Sequence, residues 1–272
     1  MTGRTSARTA PLPILRRALT DGWRGLLGWT AGLAAVALLY LPLFPSMRSP
    51  ELTDLLASLP PALVDTIGYQ DIGTGPGYTQ ATFFGLIGYV LLTIAAITWG
   101  AALIGGAEES GRLELTLAHG VGRVSYALQS AAALIVKLAW LGCAAWLVIW
   151  ALNGPAHLDL DAGKLAATIA AWLGAGLVSA TAALAAGGLT GRRSWSVGAG
   201  AGVAVAGFTL QAVANNSADL DGLRRFSPFD WAFGNVPLTN GLDGGGLALL
   251  IAVSALLIAV ATIGLARRDV LG

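Results

Sequence analysis

Charge is scarce in this sequence. Only 11% of its 272 residues are charged, against about 25% in an ordinary soluble domain. A chain so poor in charge cannot cover a globule with solvated surface, which excludes a soluble enzyme. Cysteine is nearly absent: Cys143 stands alone, so neither an internal disulfide nor a Cys-rich metal site can form. The two histidines, His119 and His157, are too few and too far apart for a His-based metal cluster. The net charge of +1 lacks the basic excess of a nucleic-acid binder. Catalytic motifs are missing too. Gly163-Lys164 is followed by Leu165 rather than by Ser or Thr, and no Gly-x-x-x-x-Gly-Lys-Ser/Thr occurs, so this chain holds no P-loop for ATP. His-Glu-x-x-His is absent.

What the chain has is apolar sequence. Hydrophobic residues make up 55% and the mean hydropathy is +0.69, which also excludes disorder. A helix needs about 20 mostly apolar residues to cross ~30 Å of hydrocarbon. Six windows qualify, at about 25–42, 80–104, 126–152, 164–189, 195–214 and 246–265. The first follows a basic stretch, as in a signal peptide, but it is too long for one and has no clear cleavage site, so it is read as an uncleaved span ending at Pro42. Strands of a β-barrel would alternate in hydrophobicity; Leu247–Leu265 is apolar all round, so helices are expected. The expectation is a single all-α domain, 1–272, with six transmembrane helices.

Lys and Arg orient the spans. With the N-terminus in the cytoplasm, Arg4, Arg8, Arg16, Arg17, Arg24, Arg112, Arg123, Arg192, Arg193, Arg267 and Arg268 lie inside, and only Arg48, Arg224 and Arg225 outside. Both termini are therefore expected to be cytoplasmic. No acid falls inside a span, which argues against a carboxylate proton relay.

The connecting segments carry further patterns. Residues 11–24 separate at period 3.6 into Ile14, Leu15, Ala18, Leu19, Gly22 and Trp23 on one face and Arg16, Arg17, Thr20, Asp21 and Arg24 on the other. This predicts an amphipathic interfacial helix; a helix packed on a partner is the alternative. Leu52, Leu55, Leu56, Leu59 and Leu63 predict a short helix on the outer surface. Phe226, Phe229, Trp231 and Phe233 fill the last outer loop, which predicts partial re-entry or a small folded cap.

The inner segment between spans two and three runs from Gly105 to Arg123. Glu108, Glu109 and Glu114 sit toward its N-terminal part, where the helix dipole favours acids. Glu108 and Arg112 are spaced for an i,i+4 ion pair. Leu113, Leu117 and Val121 form an apolar stripe, and Gly120 and Gly122 break the helix. A short charged helix facing the cytoplasm results, suited to docking a soluble partner.

This segment resembles the coupling region of ABC-2 type transporter permeases, whose pattern is roughly Glu-x-x-Gly-Thr-Leu-Glu-Leu-Leu-Leu-Ala-x-Pro-Val-Ser-Arg. Glu108, Gly111, Leu113, Glu114, Leu115, Leu117, Ala118, Val121 and Arg123 fall in register. Weaker likenesses are Gly77-Tyr78 through Phe84, Ser227-Pro228-Phe229 and Arg267-Arg268-Asp269. Gly120 stands where the family has Pro, Gly122 replaces Ser or Thr, Arg112 replaces Thr and Thr116 replaces Leu. The resemblance, closest to the antibiotic-exporter branch, implies two six-span subunits, as homodimer or heterodimer. It also implies two P-loop ATPase subunits docked on the inner loops, with ATP and Mg held by them. Coupling residues by this resemblance are Glu108, Glu109, Gly111, Arg112, Leu113, Glu114, Leu117, His119 and Arg123. It places the substrate path along spans one, two and five.

Polar groups near such a path are Thr82, Thr93, Thr98, Thr209 and Gln211, with Thr79 and Gln80 at the start of span two. Their small number suggests an amphipathic or hydrophobic cargo such as an antibiotic, drug or lipid. Lys137 is the one cation deep in an apolar window; it either faces the path or snorkels to the inner headgroups. Gly198 and Gly202 form a Gly-x-x-x-Gly face suited to a second subunit. A stand-alone secondary carrier or channel is the alternative function; inverted repeats with broken helices would mark it, and none is evident. A membrane-embedded enzyme would need paired His or acids at bilayer depth, and these are missing.

Overall fold

The computed structural model describes residues 12–47, 72–216 and 218–269, and all regular elements among them are helical. The expected outer-surface helix carrying Leu52 to Leu63 lies outside these residues. Six helical stretches are long and apolar enough to cross a membrane: Trp23–Ser46, Gly75–Leu103, Arg123–Asn153, Ala162–Thr190, Arg193–Asn216 and Gly244–Arg267. The protein is an integral multi-pass membrane protein.

Helix α1 (Pro13–Asp21) precedes α2 (Trp23–Tyr40). The two faces read from the sequence are visible. Ile14 is buried, Leu15, Ala18, Leu19 and Gly22 are half-buried, and Arg16, Arg17, Thr20 and Asp21 are exposed. Trp23 departs from the expected apolar face, being 52% exposed. Pro42 does not end the first span. It sits in the first turn of a 3₁₀ segment, Leu41–Leu43, and the chain stays helical through Phe44–Met47. Proline is tolerated there because its missing N–H is one that a helix start leaves unused.

The second span opens at Gly75, earlier than its apolar window, because Thr74 caps it: the Thr74 hydroxyl accepts from Gly77 N at 3.1 Å. Helix α3 (Gly75–Thr79) passes into a π-helical stretch, Gln80–Ile87, and then α4 (Gly88–Leu103). Gly88 N donates to Phe83 O, the wider i→i+5 bond of that stretch. The widened turns seat Phe83 and Phe84 around Trp172, with ring centroids 5.9 and 5.8 Å away. Beyond two short helices, α5 (Gly105–Glu109) and α6 (Arg112–Ala118), come α7 (Arg123–Asn153), α8 (Ala162–Thr190), α9 (Arg193–Asn216), α10 (Pro228–Phe233) and α11 (Gly244–Arg267).

Helix α8 is the axis of the bundle, with 78% of its apolar window buried. It packs against α4, α7, α9 and α11. In a bilayer, helix association relies on close packing through small residues, and the contacts of α8 show this. A methyl placed on Gly100 of α4 would lie 2.3 Å from Ala180 O of α8, and one on Gly188 would lie 2.5 Å from Ala261 O of α11. Helices α2, α9 and α11 turn most of their surface outward, with 17%, 22% and 22% of their windows buried.

At the end of the bundle opposite the termini, a 3₁₀ segment (Ala218–Phe226), α10 and the turn Pro237–Asn240 join α9 to α11. This loop folds back on the spans. Phe229 meets Tyr89 edge-on at 4.9 Å and is buried with Phe233 and Leu238, while Phe226 is 65% exposed.

The contact at Gly100 makes a prediction. Gly100→Ala overpacks the α4–α8 crossing and is expected to cost about 1–3 kcal/mol, seen as a lower unfolding temperature in detergent. Gly28→Ala in α2, with nothing within 4 Å, is expected to leave that temperature unchanged or raised, since Ala favours the helix by about 1 kcal/mol. Equal effects would contradict this packing.

Candidate functional site

The α5–α6 segment lies at the termini-bearing end of the bundle, which carries α1 and the C-terminal end of α11. The expected single helix is broken. Ser110 leaves helical geometry, and Gly111 takes the left-handed conformation at φ +68°, which residues with a Cβ seldom adopt. The break separates Glu108 from Arg112, so their expected i,i+4 pair does not form. Arg112 Nε donates instead to Ser110 Oγ at 2.8 Å.

Glu108 turns toward the far end of the chain. Arg268 Nη1 donates to Glu108 Oε1 at 2.6 Å, and Nη2 pairs with Oε2. The Glu108 side chain is only 10% exposed. Arg268 Nε reaches Gly188 O at 3.3 Å, and Arg268 O accepts from Arg123 Nη1 at 2.8 Å. Glu109 Oε1 accepts from the backbone N of Arg193 at 2.9 Å, satisfying the start of α9. Arg268 and Arg193 N were not anticipated as partners; residues 108 and 268 are 160 positions apart and no local pattern joins them.

Helix α6 is anchored by its apolar stripe. Leu113 is fully buried in a cluster with Ile14, Ile104, Tyr126, Leu184 and Leu265, and Leu117 and Val121 pack against it. Tyr126 holds the neighbouring turn, donating to Leu103 O at 2.8 Å. The other face is free: Arg112, Leu115 and His119 are exposed and Glu114 is half-buried. The result is a short, firmly seated helix presenting mixed charge and one exposed leucine.

Nearby, α1 is docked on α7: Ile14 N donates to Gln129 Oε1 at 2.9 Å. Lys137 lies at the other end of α1. It is 6% exposed, its ammonium 5.4 Å from the centroid of the Trp99 ring and beside Gly22, where a methyl would come within 2.8 Å of Nζ. Helical side chains lean toward their own N-terminus, which for α7 is the termini-bearing end. Lys137 therefore reaches for the α1–α2 junction and finds the ring face there.

The other candidate path residues are dispersed. Thr82 Oγ1 donates to Tyr78 O at 2.7 Å, the usual use of a helical threonine. Thr93 is buried, Thr98 and Gln211 are half-buried, and Thr209 is exposed. Gln80 is recruited structurally, accepting from Leu238 N at 3.3 Å. A groove of about 420 Å³, lined by Leu189, Val260, Ile263, Gly264, Arg267 and Arg268, includes none of them. Gly198 and Gly202 lie on the open face of α9 with nothing within 4 Å, whereas Gly200 faces Ser179 O.

At the opposite end, Ser227 holds the loop. Its hydroxyl donates to Gly207 O at 2.6 Å and accepts from Asp230 N at 3.0 Å. Burial pushes the Asp230 carboxyl up; Arg224 opposes the shift, and Asp221 and Asp243 add to it.

Compared with known families, residues 18–265 match the family described as multidrug efflux system permease Rv1217c, C-terminal domain. The match spans all six candidate membrane helices apart from the last two residues of α11. No curated protein matches the chain.

The Asp230 environment predicts a pH dependence. A carboxyl with a folded-state pKa above its unfolded value weakens the fold when ionised. That penalty is absent below the unfolded value, about 3.9, and becomes complete as pH rises through the folded one. Asp230→Asn is expected to flatten this slope, with its gain in unfolding temperature present at neutral pH and gone in acid. Thermal scans in detergent at several pH values test it; a gain that grows in acid would contradict it.

Proposed function

The chain belongs to the multidrug efflux permease family of that match, and from this premise we propose that it is the membrane subunit of an ATP-driven exporter of the ABC-2 type. The observation that carries the reading is α6. Its apolar stripe is locked into the bundle by Leu113, while Arg112, Glu114, Leu115 and His119 point away. A helix rigid on one side and charged on the other suits a soluble motor that docks and pushes. The sequence has no P-loop, so ATP and Mg belong to that motor, a P-loop ATPase present in two copies. The arginine-rich end, with Arg112, Arg123, Arg192, Arg193, Arg267 and Arg268, is the cytoplasmic one under the positive-inside rule.

A second permease half, identical or related, completes the assembly. The small-residue face of α9 at Gly198 and Gly202 supports this, being open and free of neighbours in this chain. The cargo is an amphipathic or hydrophobic compound. Leu38 and Leu39 on α2 and Val205 and Phe208 on α9 are exposed apolar residues that support this, and the candidate polar groups Thr82, Thr93, Thr98, Thr209 and Gln211 are few and dispersed. The chain is itself not catalytic.

Gentle purification of the tagged chain from its native membrane, with mass spectrometry of stoichiometric partners, tests the proposal. A co-purifying P-loop ATPase is expected. Glu114→Lys, which reverses the charge on the free side of α6, should reduce ATP-dependent efflux at least about fivefold with the protein still inserted. A chain that purifies alone and moves substrate without ATP would overturn the reading.

A further inference from the structure

We propose that Glu108 and Arg268 form a charged clasp that transmits displacement of α6 to α8, α9 and α11, which makes Arg268 a positioning residue for transport. The inference rests on the reading of α6 as the element an ATPase pushes.

Four segments meet at Arg268. Its guanidinium grips both carboxylate oxygens of Glu108 in the forked geometry available to arginine alone. Its Nε reaches Gly188 O at the end of α8, and its own carbonyl is held by Arg123 at the start of α7. The clasp rests on the α8–α9 turn. Gly191 has φ +68°, and a methyl there would lie 2.5 Å from both Arg268 Nη1 and Glu108 Oε1. Glu109 adds a second tie, to the first backbone N of α9. No other described ion pair joins residues distant in sequence: Arg17 pairs with Asp21 and Arg224 with Asp221, each within one helical turn.

The directions of these bonds explain why an apolar anchor alone is insufficient. Leu113 gives α6 a seat, yet dispersion contacts are non-directional, and a helix of seven residues held by them can roll. The forked ion pair fixes α5, which leads into α6 across the Ser110–Gly111 turn, and so limits rolling and sliding of the helix that follows. A push on α6 then moves the ends of α8, α9 and α11 together. Since α9 carries the open Gly198 and Gly202 face, the motion reaches the surface proposed to meet the second permease half. Leaving Glu108 without Arg268 would strand a carboxylate that is 10% exposed, so the pair is expected to stay closed throughout the cycle.

The test uses the full complex in native membranes and in proteoliposomes. The variants are Glu108→Gln, Arg268→Gln, Arg268→Lys and the exchange Glu108→Arg with Arg268→Glu. Each glutamine variant is expected to lower efflux about tenfold while ATP hydrolysis continues, and the exchange to recover a substantial share of efflux. Wild-type efflux from either glutamine variant at equal protein level overturns the clasp, as does an exchange no better than the single changes. Should the glutamine variants fail to accumulate, Arg268→Lys decides. It keeps the charge and loses the fork, so several-fold lower efflux is expected, and unchanged efflux overturns the proposal. If wild-type efflux itself survives ATP depletion, the ATPase reading fails and the clasp fails with it. If wild-type efflux needs ATP and the variants match it, only the clasp fails.

Discussion

Close approach to α8 is the constraint on which the rest of the structure depends. Inside a bilayer, apolar side chains gain nothing by leaving lipid for protein, so helices stay together through van der Waals fit. Helix α8 achieves that fit with glycine, alanine and serine, and its neighbours answer in kind: Gly100 of α4 meets Ala180, Gly200 of α9 meets Ser179, and Gly264 of α11 meets Gly188. The helices that can approach α8 become the bundle. Helix α2, which barely touches α8, has the smallest share of its window buried.

The same constraint governs where charge goes. Ionised groups are costly at bilayer depth, and among the described residues they sit at the two ends of the bundle, with Lys137 reaching back to one of them. At the termini-bearing end the charges have two distinct employments. Glu108, Glu109, Arg123 and Arg268 are bonded to one another or to backbone groups and join the helix ends. Arg112, Glu114 and His119 of α6 stay outward and are available to a partner. A motor acting on the outward set would move helices fastened by the inward set, which is the physical content of the transport proposal.

The spans were readable because an apolar run of about 20 residues has few other fates. The apolar stripe of α6 was readable too: Leu113, Leu117 and Val121 recur at helical spacing, and the structure buries Leu113 fully. Other features left no local trace. The π-helical turns at Gln80–Ile87 have the composition of an ordinary span; they set Phe83 and Phe84 against Trp172, a partner far away in the sequence. Pro42 reads as a stop, yet it fits a helix start. The spacing of Glu108 and Arg112 reads as an ion pair only if the helix is unbroken, and Gly111 breaks it. Arg268 belongs to a terminal Arg-Arg-Asp, but its partner lies 160 residues away, and only the folded bundle brings them together.

The central claim is that the outward face of α6 meets a P-loop ATPase. Leu115, 64% exposed on that face, is the place to ask. A photo-crosslinking amino acid at position 115, activated in native membranes and followed by mass spectrometry, reads out what touches it. The account predicts an adduct with a P-loop ATPase, lost when Glu114 is changed to Lys. Crosslinks to lipid alone, from a protein that still exports its substrate, would contradict it.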